Sequence, residues 1–213
     1  MKYFLLLLHI IMVLSFNHIE IIQSLNACKF SYNKYFFDNS LIKFIKIYNS
    51  NNILPFSIFY NKNKILLSFQ GTKSFNNLLI NLQYNQLKYN DNIKIHSGYL
   101  NTYNKIKPLI INDINSIIKR NHKEIIFTGH SLGGAIATIA FIDLYKNKNI
   151  IKKCYTFGTP PCIINNINNY TIYDFSNKYD IITLFKEKNI DKNNKIWNIL
   201  HNHNLDNYYN NLK

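Results

Sequence analysis

Ile125-Ile126-Phe127-Thr128-Gly129-His130-Ser131-Leu132-Gly133-Gly134-Ala135-Ile136-Ala137-Thr138-Ile139-Ala140 is the stretch that decides how this chain folds. An apolar run leads into Gly-His-Ser-Leu-Gly, and a small-residue helix pattern follows at once. A strand, a tight turn and a helix therefore meet at one serine. In this G-x-S-x-G spacing, small residues two before and two after the serine let strand and helix pack closely. The turn between them holds the serine exposed on a strained backbone, the arrangement called a nucleophile elbow. The flanking pattern carries as much of the signal as the five letters, because a Gly/Ser turn without it is only a turn.

Outward from the elbow, Phe56 to Tyr60 and Ile65 to Phe69 flank Asn61-Lys62-Asn63-Lys64 and read as two strands joined by a tight turn. Tyr103, Ile106, Ile110, Ile114 and Ile117 recur at three- and four-residue spacing, an amphipathic helix with Pro108 in its early part. Strand Glu124 to Thr128, helix Leu132 to Lys146, strands Lys153 to Phe157 and Tyr170 to Phe175, and a short segment Ile181 to Phe185 complete the order. Strands alternating with helices imply an α/β fold with a mainly parallel central sheet covered by helices on both faces. With an elbow at its centre, that is the α/β-hydrolase fold. No repeat and no Gly/Ser/Pro linker interrupts the chain, and the short Asn runs read as loops.

The 213 residues suffice for one domain and not for two of ordinary size. Met1-Lys2-Tyr3 gives a basic start and Phe4 to Leu14 is almost wholly apolar. That run is too short to span a bilayer, so residues 1–27 read as a signal peptide, cut between Gln23 and Cys28, and residues 28–213 as a single secreted domain. An uncleaved anchor is the alternative, since Ile19 to Leu25 adds apolar residues; a lipoprotein-like Leu25-Asn26-Ala27-Cys28 is weakened by polar Asn17, His18 and Glu20. Cys28, Cys154 and Cys162 leave one thiol over if any bridge forms, and nothing in their spacing chooses a pair. No Cys-x-x-Cys or Cys/His spacing points to a structural metal, and none is expected. The net charge of +14 comes from scattered lysines in a chain rich in Asn, Ile and Lys throughout. Without a basic helix, an RNA-binding signature or a zinc finger, it does not argue for a nucleic-acid partner.

A serine hydroxyl is a poor nucleophile at neutral pH. It needs a base within hydrogen-bond reach and a carboxylate to orient that base, and on this fold they follow in the order Ser, acid, His. Asp143 falls on the helix after the elbow, too early to return to the catalytic face. Asp180 follows a strand in a turn at the carboxyl end of the sheet, where open α/β sites gather, and is chosen over Asp174. Only His201 and His203 follow it. His203 is preferred, because Leu205, Tyr208 and Tyr209 can anchor a short element behind its ring. The developing oxyanion needs donors as well: the backbone N–H of Leu132 and the turn Gln70-Gly71-Thr72 after Ile65 to Phe69. This chemistry calls for no metal and no cofactor.

From Ile53 to Tyr209 the chain resembles the class 3 lipases. Ser68-Phe69-Gln70-Gly71-Thr72 is similar to that family's F-R-G-S/T oxyanion loop, His96-Ser97-Gly98-Tyr99 to its H-x-G-F/Y, and Tyr155-Thr156-Phe157-Gly158-Thr159-Pro160 to its Y-T-F-G-x-P. Asp180-Ile181-Ile182-Thr183 resembles the acid segment, and His203-Asn204-Leu205-Asp206-Asn207-Tyr208 the plant-type H-N-L-E-x-Y. The resemblance implies Ser131 as nucleophile, Asp180 as orienting acid, His203 as base, Thr72 and Leu132 as oxyanion hole, and His96 as a structural residue of the site wall. It also implies a helical lid from Ser74 to Tyr84, with Phe75, Leu78, Leu79 and Ile80 on the face that covers the acyl groove and makes transient contact with a lipid surface. Gln70 in place of Arg, Pro161 in place of Arg and Leu78 in place of the lid Trp depart from the family pattern and bear on substrate preference. The expected activity is hydrolysis of lipid esters, triacylglycerol first. A phospholipase, a short-chain esterase or an inactive lipid-binding lipase fold are the alternatives.

Overall fold

The structure is a computed structural model, and it describes residues 18–32, 43–50, 53–60, 63–72, 86–90, 93–118, 124–145, 150–164, 170–177, 180 and 203–211. Helix α1 covers residues 18–32. It is followed by β1 (Lys43–Ser50), β2 (Ile53–Tyr60), β3 (Lys64–Phe69), β4 (Gln86–Asn90), β5 (Ile93–His96), α2 (Ser97–Ile118) and β6 (Glu124–His130). Then come α3 (Leu132–Tyr145), β7 (Ile151–Phe157), β8 (Ile163–Ile164), β9 (Ile172–Phe175) and α4 (Leu205–Asn211).

Six strands form the main sheet in the order β1-β2-β3-β6-β7-β9. The hairpin read around residues 61–64 is β2 against β3, antiparallel, with Phe56 opposite Phe69 and Tyr60 opposite Ile65. From β3 onward the pairing is parallel. Register then does the positioning: Phe69 pairs with Gly129 and His130 with Phe157, so β3, β6 and β7 end level with one another. The turns that follow them, at residues 70–72, 131 and 158, open at one edge of the sheet, its carboxyl end.

Because successive side chains in a strand point to opposite faces, each strand feeds two cores. Ile65, Leu67 and Phe69 of β3, Ile125 and Phe127 of β6 and Cys154 of β7 pack with α2 and α3. Leu66, Ile126, Tyr155 and Phe157 point the other way and, with Phe59, pack against Leu25, Ala27, Cys28 and Phe30 of α1 and Leu205 and Tyr208 of α4. Each such large side chain contributes about 1.5–3 kcal/mol on leaving water. Helix α3 is buried on every side from Leu132 to Ile142, which is why its sequence shows small and apolar residues without a polar stripe. Helix α2 begins at Ser97, ahead of the Tyr103 from which its periodicity is read, and runs through the exposed Pro108.

Three features add to the sequence reading. A second, three-stranded sheet, β4-β5-β8, stands apart from the main one; its β8 has two residues, too short for any periodicity. The three cysteines, whose spacing chose no pair, are buried free thiols. Most consequentially, the boundary expected at residues 27 and 28 falls inside α1. Glu20, Gln23, Ser24, Leu25 and Ala27 are buried, and Glu20 accepts bonds from Lys153 Nζ at 2.7 Å, from Tyr155 Oη at 2.8 Å and from Lys64 Nζ. Together with α4, helix α1 packs on the second face of the sheet. The expected segment Ile181 to Phe185 and the apolar run Phe4 to Leu14 lie outside the described residues.

Candidate active site

Among the described residues, Ser131 is the one non-glycine residue with a left-handed backbone, φ 58°. Such a conformation costs on the order of 1–3 kcal/mol and persists only when its surroundings enforce it. Here Ser131 N–H donates to Phe157 O at 2.9 Å, and its carbonyl accepts from Gly134 N–H at 2.9 Å and Ala135 N–H at 3.3 Å. The glycines on either side have steric reasons. A Cβ on Gly129 would lie 2.1 Å from Gly133 O, and one on Gly133 would lie 2.1 Å from Phe69 O. The five-letter spacing is thus the record of a helix packed directly on two strand ends.

Asp180 is wholly buried, and His203 Nδ1 lies 2.9 and 2.8 Å from its two oxygens. A carboxylate only accepts, so Nδ1 carries the hydrogen and Nε2 is left with the lone pair that a base requires. Nε2 is buried and has no hydrogen-bond partner among the described residues. Asp180 Oδ2 also accepts from Tyr208 Oη at 2.5 Å, while Tyr208 Oη itself accepts from Asn177 N–H at 3.2 Å. Burial, then the neighbouring Asp180 charge, push the Tyr208 phenol well above its ordinary range, so it remains a donor. Gly158 has φ 57°; a Cβ there would sit 2.8 Å from Asp180 Oδ2 and 3.0 Å from His203 Cε1.

The elbow and this pair are neighbours. His130, the residue before Ser131, donates from Nε2 to the His203 carbonyl at 2.7 Å, and the two rings are 4.5 Å apart. Burial first, and then the His203 charge, hold His130 well below the usual histidine range, so its ring is neutral. Gly71 lies against the elbow: a Cβ on it would meet His130 O at 2.5 Å and Ser131 Cβ at 3.2 Å. Beside it the Thr72 hydroxyl is buried without a partner among the described residues. Leu132 opens α3, where the first N–H groups have no acceptor within the helix and favour an anion.

Ser131, Asp180, His203, Thr72 and Leu132 are therefore gathered at one end of the sheet. Asp174, the second choice for the acid, lies on β9 and accepts from Thr156 Oγ1 at 2.8 Å instead. Asp143 is held by Lys107 at 2.8 Å and Tyr103 at 2.6 Å on the opposite core face. His96 is buried, stacked on Tyr99 at 4.3 Å and bonded to Gly98 N–H at 3.2 Å, as a wall residue would be. His201 and the lid residues Phe75, Leu78, Leu79 and Ile80 lie outside the described residues. Sequence reasoning missed three participants: the Tyr208 hydroxyl on Asp180, His130 on His203, and Tyr32, whose hydroxyl is 3.0 Å from His130 Nδ1. Tyr208 lies within a quoted motif, so its position was visible and its bond was not. His130 occupies a variable position of the elbow, and Tyr32 carries no local signal.

A strained elbow serine beside a buried Asp–His pair, over the carboxyl ends of a mainly parallel sheet, defines an α/β-hydrolase. The family model for Lipase (class 3) matches residues 66–202, from β3 across the elbow to the approach of His203. This chain belongs to the class 3 lipase family. It is 34% identical over 91 residues to a lipase of Rhizopus niveus, covering 39% of this chain and 22% of that one. Identity to a lipase of Rhizomucor miehei is 28% over 103 residues, covering 45% of this chain and 28% of the relative. The chain thus aligns with only 22% of the length of the Rhizopus relative. The solved structure of lipase II from Rhizopus niveus superposes with a TM-score of 0.66 at 21% identity, covering 83% of this chain and 76% of that one, a likeness of fold.

Proposed function

We propose that this chain is a secreted serine hydrolase that cleaves carboxylic ester bonds of lipids, triacylglycerols foremost, through an acyl-enzyme on Ser131. The observation that carries this reading is the buried Asp180–His203 pair, Nδ1 to Oδ2 at 2.8 Å, standing against the residue that precedes the elbow serine. Ser131 Oγ attacks the ester carbonyl carbon as its proton passes to His203 Nε2. The carbonyl π pair moves onto oxygen, and that oxyanion takes hydrogen bonds from Leu132 N–H and the Thr72 hydroxyl. Collapse breaks the bond to the alcohol, whose oxygen leaves with the proton held by His203. Water then repeats the sequence on the acyl-enzyme and frees the fatty acid. Asp180 stays ionised throughout and stabilises the imidazolium formed in each half-reaction. Loss of one oxyanion donor would remove about 3–4 kcal/mol of transition-state stabilisation.

The substrate class follows from family membership and from the apolar segment containing Phe75, Leu78, Leu79 and Ile80, which we read as a lid that opens at a lipid surface. Secretion follows from the basic start and apolar run Phe4 to Leu14. Fluorophosphonate labelling tests the chemistry directly: the probe should attach to Ser131 and to nothing in Ser131→Ala. Hydrolysis of triacylglycerol should exceed that of phospholipid and short-chain ester, and should rise above the substrate's solubility limit. An unlabelled wild-type chain would remove the hydrolase reading and leave a lipid-binding member of the family. A preference for phospholipid or short esters would remove the triacylglycerol assignment alone.

A further inference from the structure

We propose that Tyr32 and His130 are positioning residues: a directed hydrogen-bond chain through them ties the Gly71–Thr72 turn to the main chain of His203, so that helix α1 sets the distance between the oxyanion donors and the base. This rests on the hydrolase reading above.

The direction of the chain can be assigned atom by atom. A carbonyl oxygen only accepts, so the 2.7 Å contact between His130 Nε2 and His203 O requires the hydrogen on Nε2. In a neutral imidazole the other nitrogen is then an acceptor, so the Tyr32 hydroxyl, 3.0 Å from His130 Nδ1, must donate to it. The Tyr32 oxygen keeps its lone pairs for the Gly71 backbone N–H that faces it. The approach is close: a Cβ on Gly71 would lie 2.1 Å from the Tyr32 oxygen, besides 2.5 Å from the His130 backbone oxygen. Every link has one donor and one acceptor, and none can be reversed without leaving a buried polar atom unpaired.

The chain is selective about charge. A protonated His130 has no acceptor for Tyr32, and it would face the His203 imidazolium with ring centroids 4.5 Å apart at the moment Ser131 gives up its proton. Among the described residues, the groups whose rings face His130 are Tyr32, His203 and Tyr208, and none of them is a carboxylate. Neither Tyr32 nor His130 touches reacting atoms in this arrangement. Their effect is on where the base and the donors stand relative to Ser131, which belongs to the transition state and not to ground-state binding.

The test separates geometry from activity. In the full chain, nitrogen-15 NMR of the histidine rings should show His130 as a neutral Nε2–H tautomer from pH 5 to 8, and Tyr32→Phe should shift its Nδ1 signal. An Nδ1–H tautomer or an imidazolium in that range overturns the chain, and this readout needs no substrate. In ester hydrolysis, Tyr32→Phe should lower kcat about 10-fold with KM unchanged, and should lower Tm by a few degrees because His130 Nδ1 loses its donor. His130→Gln, which returns an N–H near the place of Nε2, should keep more activity than His130→Phe. The Tyr32→Phe/His130→Phe double variant should be no worse than His130→Phe alone, because both substitutions break one chain. Unchanged kcat in Tyr32→Phe, or additive losses, would refute the positioning role. If the wild-type chain neither hydrolyses ester nor labels at Ser131, the hydrolase reading and the positioning role fall together, while the tautomer still decides the hydrogen-bond chain. Should His130→Phe fail to fold, Tyr32→Phe, smaller by a single oxygen, still decides.

Discussion

Tyr208 grips Asp180 at the same oxygen that accepts from His203: Oδ2 lies 2.5 Å from Tyr208 Oη and 2.8 Å from His203 Nδ1. The carboxylate is fully buried, where an underbonded charge is costly, and it is tied down by two residues that lie five apart in one turn and helix. Asp180 and His203 are therefore mounted as a unit: α4 carries Tyr208 and is entered through His203, and both donate to the same carboxylate.

Removing that grip should be a catalytic lesion before it is a structural one. A hydrogen bond to a charged acceptor is worth about 1.5–3 kcal/mol, part of which is recovered by rearrangement. Tyr208→Phe should lower kcat by about 10-fold with KM little changed, and Asp180→Asn should lower it by orders of magnitude more. Steady-state kinetics on a soluble activated ester reads both, and equal losses in the two variants would contradict the division of labour.

Gly158 is a glycine for two separate reasons, its φ of 57° and the 2.8 Å approach of a hypothetical Cβ to Asp180 Oδ2. Gly158→Ala should destabilise the fold by about 1–3 kcal/mol and displace the Asp180–His203 pair. Urea midpoints and fluorophosphonate labelling rates measure the two effects. The labelling rate should fall even at urea concentrations where both proteins are fully folded.

Glu20 titrates in a way that makes α1 acid-sensitive. Burial alone would raise its pKa, but hydrogen bonds from Lys153, Lys64 and Tyr155 outweigh burial and bring it below the ordinary carboxylate value. A folded pKa below the unfolded one, about 4.3, means stabilisation is fully present above that value and is lost as pH falls through the folded pKa. Glu20→Gln should therefore be less stable than wild type by about 1–3 kcal/mol at pH 7, with the gap narrowing below about pH 4. Urea unfolding of both proteins from pH 3 to 7 checks the sign; a gap that widens toward acid would contradict it.

Truncation tests where the folded unit starts. A chain beginning at Cys28 lacks Glu20, Leu25 and Ala27 and so removes part of the cover over Leu66, Ile126 and Tyr155. It should aggregate or melt far below a chain beginning at His18. Mass spectrometry of the secreted product should likewise find an N-terminus at or before residue 18.

What could be read in the sequence is what the backbone itself demands. Gly129, Ser131 and Gly133 are spaced by direct contact of helix and strand, so the elbow, β6 and α3 were legible, as was the β2–β3 hairpin. Asp180 and His203 followed from chain order, a rule of topology. Helix α1 was not legible, because an apolar segment that docks on a sheet and one that passes through a membrane share the same composition. The residue that distinguishes them, Glu20, finds its partners at Lys64 and Lys153, far along the chain. Tyr32 and His130 were hidden for the same reason, being 98 positions apart. β1, β4, β5 and β8 were not read; the mostly exposed β4, the four-residue β5 and the two-residue β8 show no usable alternation.

The second face of the sheet is closed by α1 and α4 together, segments separated by roughly 170 residues, whereas the elbow is assembled from contiguous residues 124–145. Long-range closures of that kind come after local ones during folding. On that order Ser131 should be in place before His203, so an unfinished chain is expected to be latent in the way of a zymogen without a propeptide. Refolding followed by pulses of fluorophosphonate should show reactivity lagging behind the recovery of secondary structure; simultaneous recovery would show that this latency does not exist.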